Sequence, residues 1–135
     1  MAYPELMHVA LDATDCRGLA EFYRELLGLQ YRPGDEPGVV PEPADWLVLL
    51  DDGGRRVLAV NAVDDLRPAT WPLDDVPKQM HLDFRVGDVD DLERHRRRAL
   101  DLGAELLLDR SDDEEEPTYV LADPAGHPFC LLVQP

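Results

Sequence analysis

Two stretches of the chain repeat the same order of apolar and polar positions. Each opens with a short alternating pattern, at residues 5–11 and 81–86, which is typical of a strand with one buried face. An aspartate then precedes a segment of helical periodicity, Asp15 in the first stretch and Asp88 in the second, and predicts a helix cap. Further strand patterns follow in both stretches. The sequence therefore predicts two β-α-β-β-β modules.

Turn signals separate the last strands of each module. Asp-Asp-Gly-Gly at residues 51–54 predicts a hairpin, and Asp-Pro-Ala-Gly at 123–126 predicts the corresponding turn of the second module. The second strand of the first module has the weakest pattern. The other later strands are predicted at 46–50 and 56–60 in the first module, and at 105–108, 118–122 and 129–133 in the second.

The modules also share residues. The tripeptide Met-His-Val at residues 7–9 recurs 73 residues later as Met-His-Leu at 80–82. A repeat of about 60 residues has little core of its own, so we expect the two copies to complete one another. The sequence thus predicts one domain over residues 1–135. Its parts are module 1 at 5–62, a proline-rich linker at 63–79 and module 2 at 80–134.

Charge limits the classes of partner. The sequence contains 13 Lys and Arg residues and 29 Asp and Glu residues, which gives a net charge of −16. Such an acidic protein repels phosphate backbones and anionic membrane surfaces, so neither nucleic acid nor membrane is expected as a partner. The chain shows no secretory signal pattern and no long apolar run, and Cys16 and Cys130 form no disulfide framework. We expect a cytoplasmic protein.

Strand alternation assigns the candidate functional side chains to one face. His81, Asp83 and Arg85 share the polar face of their strand, and His8 occupies the repeat-equivalent position of His81. We expect this face to point away from the helices, into a cleft lined by both modules. His8 and His81 are therefore candidate catalytic residues, because imidazole suits proton transfer, metal binding and polar recognition. The alternative is that both are ordinary hydrogen-bonded strand residues.

Three segments resemble a known family. The strand "MHVALDATD", the helix "LAEFYRELLGL" and the final "DPAGHPFCLL" are similar to the vicinal oxygen chelate superfamily, which includes glyoxalase I, extradiol dioxygenases and fosfomycin- and bleomycin-resistance proteins. The segment "RPATWPLDDVPKQMHLDF" is similar in particular to glyoxalase-like domain proteins of actinobacteria. The resemblance implies an α+β fold in which two βαβββ modules form a curved eight-stranded mixed sheet around a cleft. It also implies a homodimer.

The resemblance further implies where a metal would bind. In metal-using members the ligands come from the first and last strands of each module, and the first-strand positions match His8 and His81. The last-strand position, usually Glu, is Cys130 here, and aligning the two turns places Leu58 at the equivalent position of module 1. Both carboxylate positions are lost, so no metal cofactor is expected. If a metal is bound, His8, His81 and Cys130 would suit zinc.

Without metal, the cleft is predicted to bind a small, partly apolar molecule, since apolar walls with a few polar groups are typical of such sites. The predicted ligand contacts are Trp46, Leu58, Val60, Asp83, Arg85 and Cys130. The alternative function is a divergent lyase or isomerase of the glyoxalase type that uses His8 and His81, with or without zinc. The missing carboxylates argue against a dioxygenase, and the residues leave open whether the protein is an enzyme.

Overall fold

The computed structural model describes residues 1–134 and contains the predicted helices and strands. Pro135, the last residue of the predicted domain, lies outside the described residues. The elements in chain order are β1 (Val9–Ala13), α1 (Cys16–Leu27), β2 (Gln30–Tyr31), β3 (Trp46–Leu50), β4 (Arg56–Ala62), β5 (Leu82–Val86), α2 (Val89–Asp101), β6 (Glu105–Arg110), β7 (Thr118–Ala122) and β8 (Pro128–Val133).

The chain forms two compact units, and each contains one βαβββ module. Unit 1 is Met1–Leu66 and unit 2 is Arg67–Pro135. The strands form two four-stranded sheets, in the order β1-β4-β3-β2 and β5-β8-β7-β6. The first and last strands of each module are parallel, whereas the remaining pairs are antiparallel. The predicted α+β fold with two modules is confirmed, and its strands are grouped as two mixed sheets.

Both predicted helix caps are present. The Asp15 carboxylate accepts a hydrogen bond from the backbone N–H of Gly18 at 3.0 Å, and Asp88 accepts one from Asp91 at 2.8 Å. These bonds satisfy N–H groups that have no partner within the helix. The first helix ends at Gly28, whose φ of 67° is the left-handed conformation that glycine adopts without strain. Local sequence therefore determines both helix starts.

In unit 2, one tyrosine shows which face of the sheet packs against the helix. The Tyr119 hydroxyl donates a hydrogen bond to Glu93 on α2, and Tyr119 lies opposite Leu131 in the sheet. Directly paired residues point to the same side, so Leu131 faces the helix too. The alternate positions point to the other side, here called the far face. Its residues are Asp83, Arg85, Val120, Cys130 and Leu132.

The same reasoning in unit 1 corrects the prediction for Leu58 and Val60. The Tyr31 hydroxyl donates to Glu21 on α1 at 3.0 Å, and Tyr31 is connected through Leu49 to Leu58 across the sheet. Leu58 therefore faces α1, and so does Val60, two residues further along the strand. They are 3% and 0% exposed and belong to the core of unit 1. The prediction that they form walls of a binding site is wrong.

A β-bulge explains this error. Leu49 pairs with Leu58, but the next residue, Leu50, pairs with Arg56, so Val57 is an extra residue in the last strand of unit 1. Strand β8 has no such insertion after its turn. An alignment based on the turns is therefore wrong by one residue. In the parallel pairs Val9 lies opposite Leu58, and its repeat equivalent Leu82 lies opposite Phe129, so Leu58 corresponds to Phe129. The true equivalent of Cys130 is Ala59.

The first strands start later than the apolar pattern predicts. They begin at Val9 and Leu82, and the preceding Met7 and Met80 are 59% and 78% exposed. Between Ala62 and Leu82 the structure has no helix or strand, as the linker prolines predict. Neither of the two described helices is long and apolar enough to cross a membrane.

The helix caps can be tested by substitution. Asp15→Ala and Asp88→Ala are each expected to lower the free energy of unfolding by about 1 kcal/mol, because each leaves a helical N–H without its acceptor. Urea denaturation monitored by circular dichroism measures the change. Asp65→Ala, which removes an exposed carboxylate outside any helix or strand, is the control and should change stability much less. Equal effects of the three substitutions would contradict the capping role.

Candidate metal and ligand site

The far face of unit 2 brings together three of the predicted site residues. In the parallel pair β5–β8, Asp83 lies directly opposite Cys130, and Arg85 lies opposite Leu132. On the other side of Cys130 its partner is the apolar Val120. Cys130 therefore lies on the same face as Asp83 and Arg85, as strand alternation predicts. The two neighbouring aliphatic side chains give this polar group an apolar border.

His81, which immediately precedes β5, completes a compact group with Asp83 and Cys130. The potential ligand atoms of these three side chains all lie within 4.8 Å of one another. The His81 Nε2 atom is 3.2 Å from Asp83 Oδ1, and the His81 side chain is 34% exposed. The three residues form what we call the unit 2 cluster.

A lysine from the linker approaches the unit 2 cluster. Lys78 Nζ lies 3.4 Å from His81 Nδ1 and 4.5 Å from the centre of the Trp71 ring, a cation–π distance. Both Trp71 and Lys78 are half-buried. Lys78 is also the only lysine in the sequence. Sequence reasoning did not single it out; its position three residues before His81 is the signal that could have found it.

The Cys130 thiol is a weak acid in this environment. Burial, together with the hydrogen bond and negative charge of Asp83, raises the pKa of Cys130 to about 11, and the charge of Lys78 opposes the shift. At neutral pH the sulfur therefore carries its proton. A neutral thiol is a poor nucleophile, so the cluster as it stands is not arranged for thiolate chemistry.

Two of the predicted site residues, His8 and Trp46, belong to unit 1. His8 and Trp46 contact each other, with ring centroids 5.7 Å apart and planes tilted by 56°. His8 Nδ1 is buried and has no hydrogen-bond partner among the described residues. A buried nitrogen without a partner is costly, and a polar group of a ligand would satisfy it. The roles of His8 and Trp46 in catalysis or binding stay predictions.

The donor set of the unit 2 cluster suits one class of metal better than another. Nitrogen, sulfur and a single carboxylate fit the borderline ion Zn²⁺, whereas Mg²⁺ and Mn²⁺ prefer several oxygen ligands. The cluster differs from the predicted zinc set of His8, His81 and Cys130, because Asp83 is the third donor beside His81 and Cys130. The sequence places Asp83 on the correct face but does not show its distance from the sulfur.

Unit 1 contains a cleft of about 250 Å³ beside the start of α1, which the sequence did not predict. None of the predicted site residues lines it. Arg17 lies in this cleft, where its Nε donates to Glu42 at 2.7 Å and its Nη1 donates to the Asp35 carbonyl at 2.6 Å. Its Nη2 is also 2.7 Å from the Glu42 carboxylate, as an ion pair without hydrogen-bond alignment. The arginine therefore ties α1 to the following loop.

Comparison with protein families decides the relationship. A family model described as the glyoxalase-like domain matches residues 8–132, nearly the whole chain. The chain belongs to the glyoxalase-like domain family. No curated protein is significantly similar to this glyoxalase-like domain in sequence. The expected closeness to actinobacterial members stays a prediction.

Solved structures show the fold of the vicinal oxygen chelate superfamily. A glyoxalase/bleomycin resistance protein/dioxygenase family enzyme from Burkholderia phytofirmans matches with a TM-score of 0.70 and 17% identity, over 96% of this chain and 98% of that one. The fosfomycin resistance protein FosX of Listeria monocytogenes matches with a TM-score of 0.69 and 16% identity, over 98% and 95%. At such identities the likeness concerns the fold alone.

The Asp83–Cys130 contact predicts a change in thiol reactivity. Asp83→Asn removes the negative charge that helps to raise the pKa of Cys130, so more thiolate forms. We expect alkylation by iodoacetamide at pH 8 to become about three- to tenfold faster for each pKa unit lost. Mass spectrometry of a Cys16→Ser background isolates Cys130. Asp12→Asn, on β1 of unit 1, is the control, and an unchanged or slower rate in Asp83→Asn would contradict the contact.

Proposed function

We propose that this glyoxalase-like domain binds a small, partly apolar molecule at the far face of unit 2, and that it does so without a divalent metal. The observation that carries the proposal is the series of short distances from Lys78 through His81 and Asp83 to Cys130. Lys78, His81 and Asp83 each contact another polar group of the protein. The cluster therefore needs no ion to offset its one carboxylate.

The far face supports a ligand of mixed character. Leu132, which is half-buried, lies beside the cluster on this face, so an apolar body has a surface to contact. Arg85 and Asp83 are exposed beside it and offer a donor and an acceptor to polar substituents. This combination of aliphatic surface and a few polar groups is usual for small-molecule sites.

Metal content and binding of a probe test the proposal together. Protein purified without an affinity tag is expected to contain much less than one equivalent of any transition metal by elemental analysis. Anilinonaphthalene sulfonate, an aromatic anion with an apolar body, is expected to bind at one saturable site, with the same affinity in the presence of EDTA. Fluorescence titration measures that affinity.

Two arginine variants locate the probe. Arg85→Ala, on the far face, is expected to weaken binding of the sulfonate about tenfold, because a charge-assisted hydrogen bond is lost. Arg94→Ala removes an exposed arginine of α2, on the opposite side of the same sheet, and should leave the affinity unchanged. Stoichiometric metal with loss of binding on chelation, absence of a saturable site, or equal effects of the two variants would contradict the proposal.

A second candidate function is a divergent lyase or isomerase of the glyoxalase type. It is favoured by the short distances within the unit 2 cluster, where His81, Asp83 and Cys130 would hold zinc. Zinc would supply Lewis-acid polarisation of a substrate carbonyl. A FosX variant from Listeria, similar in fold with a TM-score of 0.70, was crystallised with Mn(II) and a dihydroxypropylphosphonic acid. If this candidate is correct, His81→Ala should abolish turnover. Stoichiometric zinc in the purified protein would favour this candidate over the first proposal.

A further inference from the structure

We infer that the ammonium group of Lys78 is a tethered cation that replaces a divalent metal at the unit 2 cluster and keeps such ions out. The inference rests on the proposed metal-independent function and names the residue responsible for it. Three observations carry it: the use of the His81 lone pair, the charge at the cluster, and the way the linker holds the lysine.

The first observation concerns the two nitrogens of His81. A neutral imidazole has one lone pair and one N–H, and an ammonium group can only donate. Lys78 Nζ lies 3.4 Å from Nδ1, so we assign the acceptor role to this nitrogen and the ring proton to Nε2. Nε2 lies 3.2 Å from Asp83 Oδ1. A metal ion needs the lone pair that Lys78 occupies, so it must displace the lysine before His81 can bind it.

The second observation concerns charge. The cluster contains one carboxylate, Asp83, beside the His81 imidazole and the Cys130 thiol. The Lys78 ammonium already balances that carboxylate. Glu116, which also acts on Cys130, accepts a hydrogen bond from Gln134. A divalent ion placed among the cluster atoms would lie within a few ångströms of a like charge, where repulsion in a partly buried site is strong.

The third observation is that the linker fixes the lysine in place. The Trp71 ring lies 4.5 Å from Nζ and attracts the cation through its π-face. Residues 70–76 form a closed turn, in which Thr70 N–H donates to the Val76 carbonyl at 2.8 Å and Val76 N–H donates to the Thr70 hydroxyl at 2.9 Å. The closed turn therefore brings Trp71 close to Lys78, which lies two residues after Val76. The ammonium is held at the cluster instead of moving freely in solvent.

Zinc titration of a lysine variant tests the inference. Lys78→Met keeps the length of the side chain and removes its charge, so it frees the His81 lone pair. We expect it to bind Zn²⁺ at least about tenfold more tightly than the wild type, or about 1.4 kcal/mol. Competition with a chromophoric chelator, on metal-free protein kept reduced with a phosphine, measures both affinities. Lys78→Arg, the matched control, retains the charge and should bind zinc as weakly as the wild type.

Further variants assign the gain to the cluster. Adding Cys130→Ala to Lys78→Met should remove the gained affinity, whereas adding Cys16→Ser, at the buried cysteine of α1, should not. Because Lys78 is the only lysine, acetylation of the folded wild-type protein neutralises the same group without a mutation. It should produce the same gain, which keeps the test valid if Lys78→Met fails to fold.

The outcomes separate the inference from the function on which it rests. Equal zinc affinity of wild type and Lys78→Met, or a gain that survives Cys130→Ala, overturns the role of Lys78 alone. Tight stoichiometric zinc in the wild type overturns the proposed metal-independent function as well. Weak binding by the wild type and Lys78→Arg, with a gain in Lys78→Met and in the acetylated protein that depends on Cys130, supports both.

Discussion

The parallel pairing of the first and last strands of each module is the constraint on which the site depends. In unit 2 it places Asp83 opposite Cys130, two residues that lie 47 positions apart in the sequence. The same pairing places Leu131 and its cross-strand partners, Phe84 and Tyr119, on the side of the helix. The core and the polar cluster therefore use alternate residues of the same strands. The cluster therefore rests directly on a rigid, well-packed core.

Much of this arrangement is visible in the sequence. The repeat of Met-His-Val predicts two modules, Asp15 and Asp88 predict the helix starts, and alternation places Cys130 on the face of Asp83; the structure confirms all of these. Alternation fails for Leu58, since the bulge at Val57 shifts the register by one residue and so reverses the face. The apolar pattern alone does not reveal the bulge. The neighbours of Val57 are the half-buried Arg56 and the buried Leu58, and the pattern is compatible with either register.

The linker contacts are the part that the sequence could not predict. Prolines show that residues 63–79 lack regular structure, but the position of Trp71 and Lys78 depends on the path of an irregular backbone. In such a segment no periodicity relates sequence spacing to spatial neighbours. This irregular segment contributes the cation that contacts His81, on which the proposed role of Lys78 depends. The protein has 29 acidic residues and one lysine, and that lysine lies beside His81.

The tautomer of His81 tests this account most directly. Long-range ¹H–¹⁵N correlation spectra of the labelled protein at pH 7.5, with the His81 signals assigned by His81→Gln, show which ring nitrogen carries the proton. The account predicts a neutral ring protonated at Nε2, with the Nδ1 lone pair accepting from Lys78, and a change in these signals in Lys78→Met. A ring protonated at Nδ1, a doubly protonated ring, or signals that do not respond to Lys78→Met would contradict it.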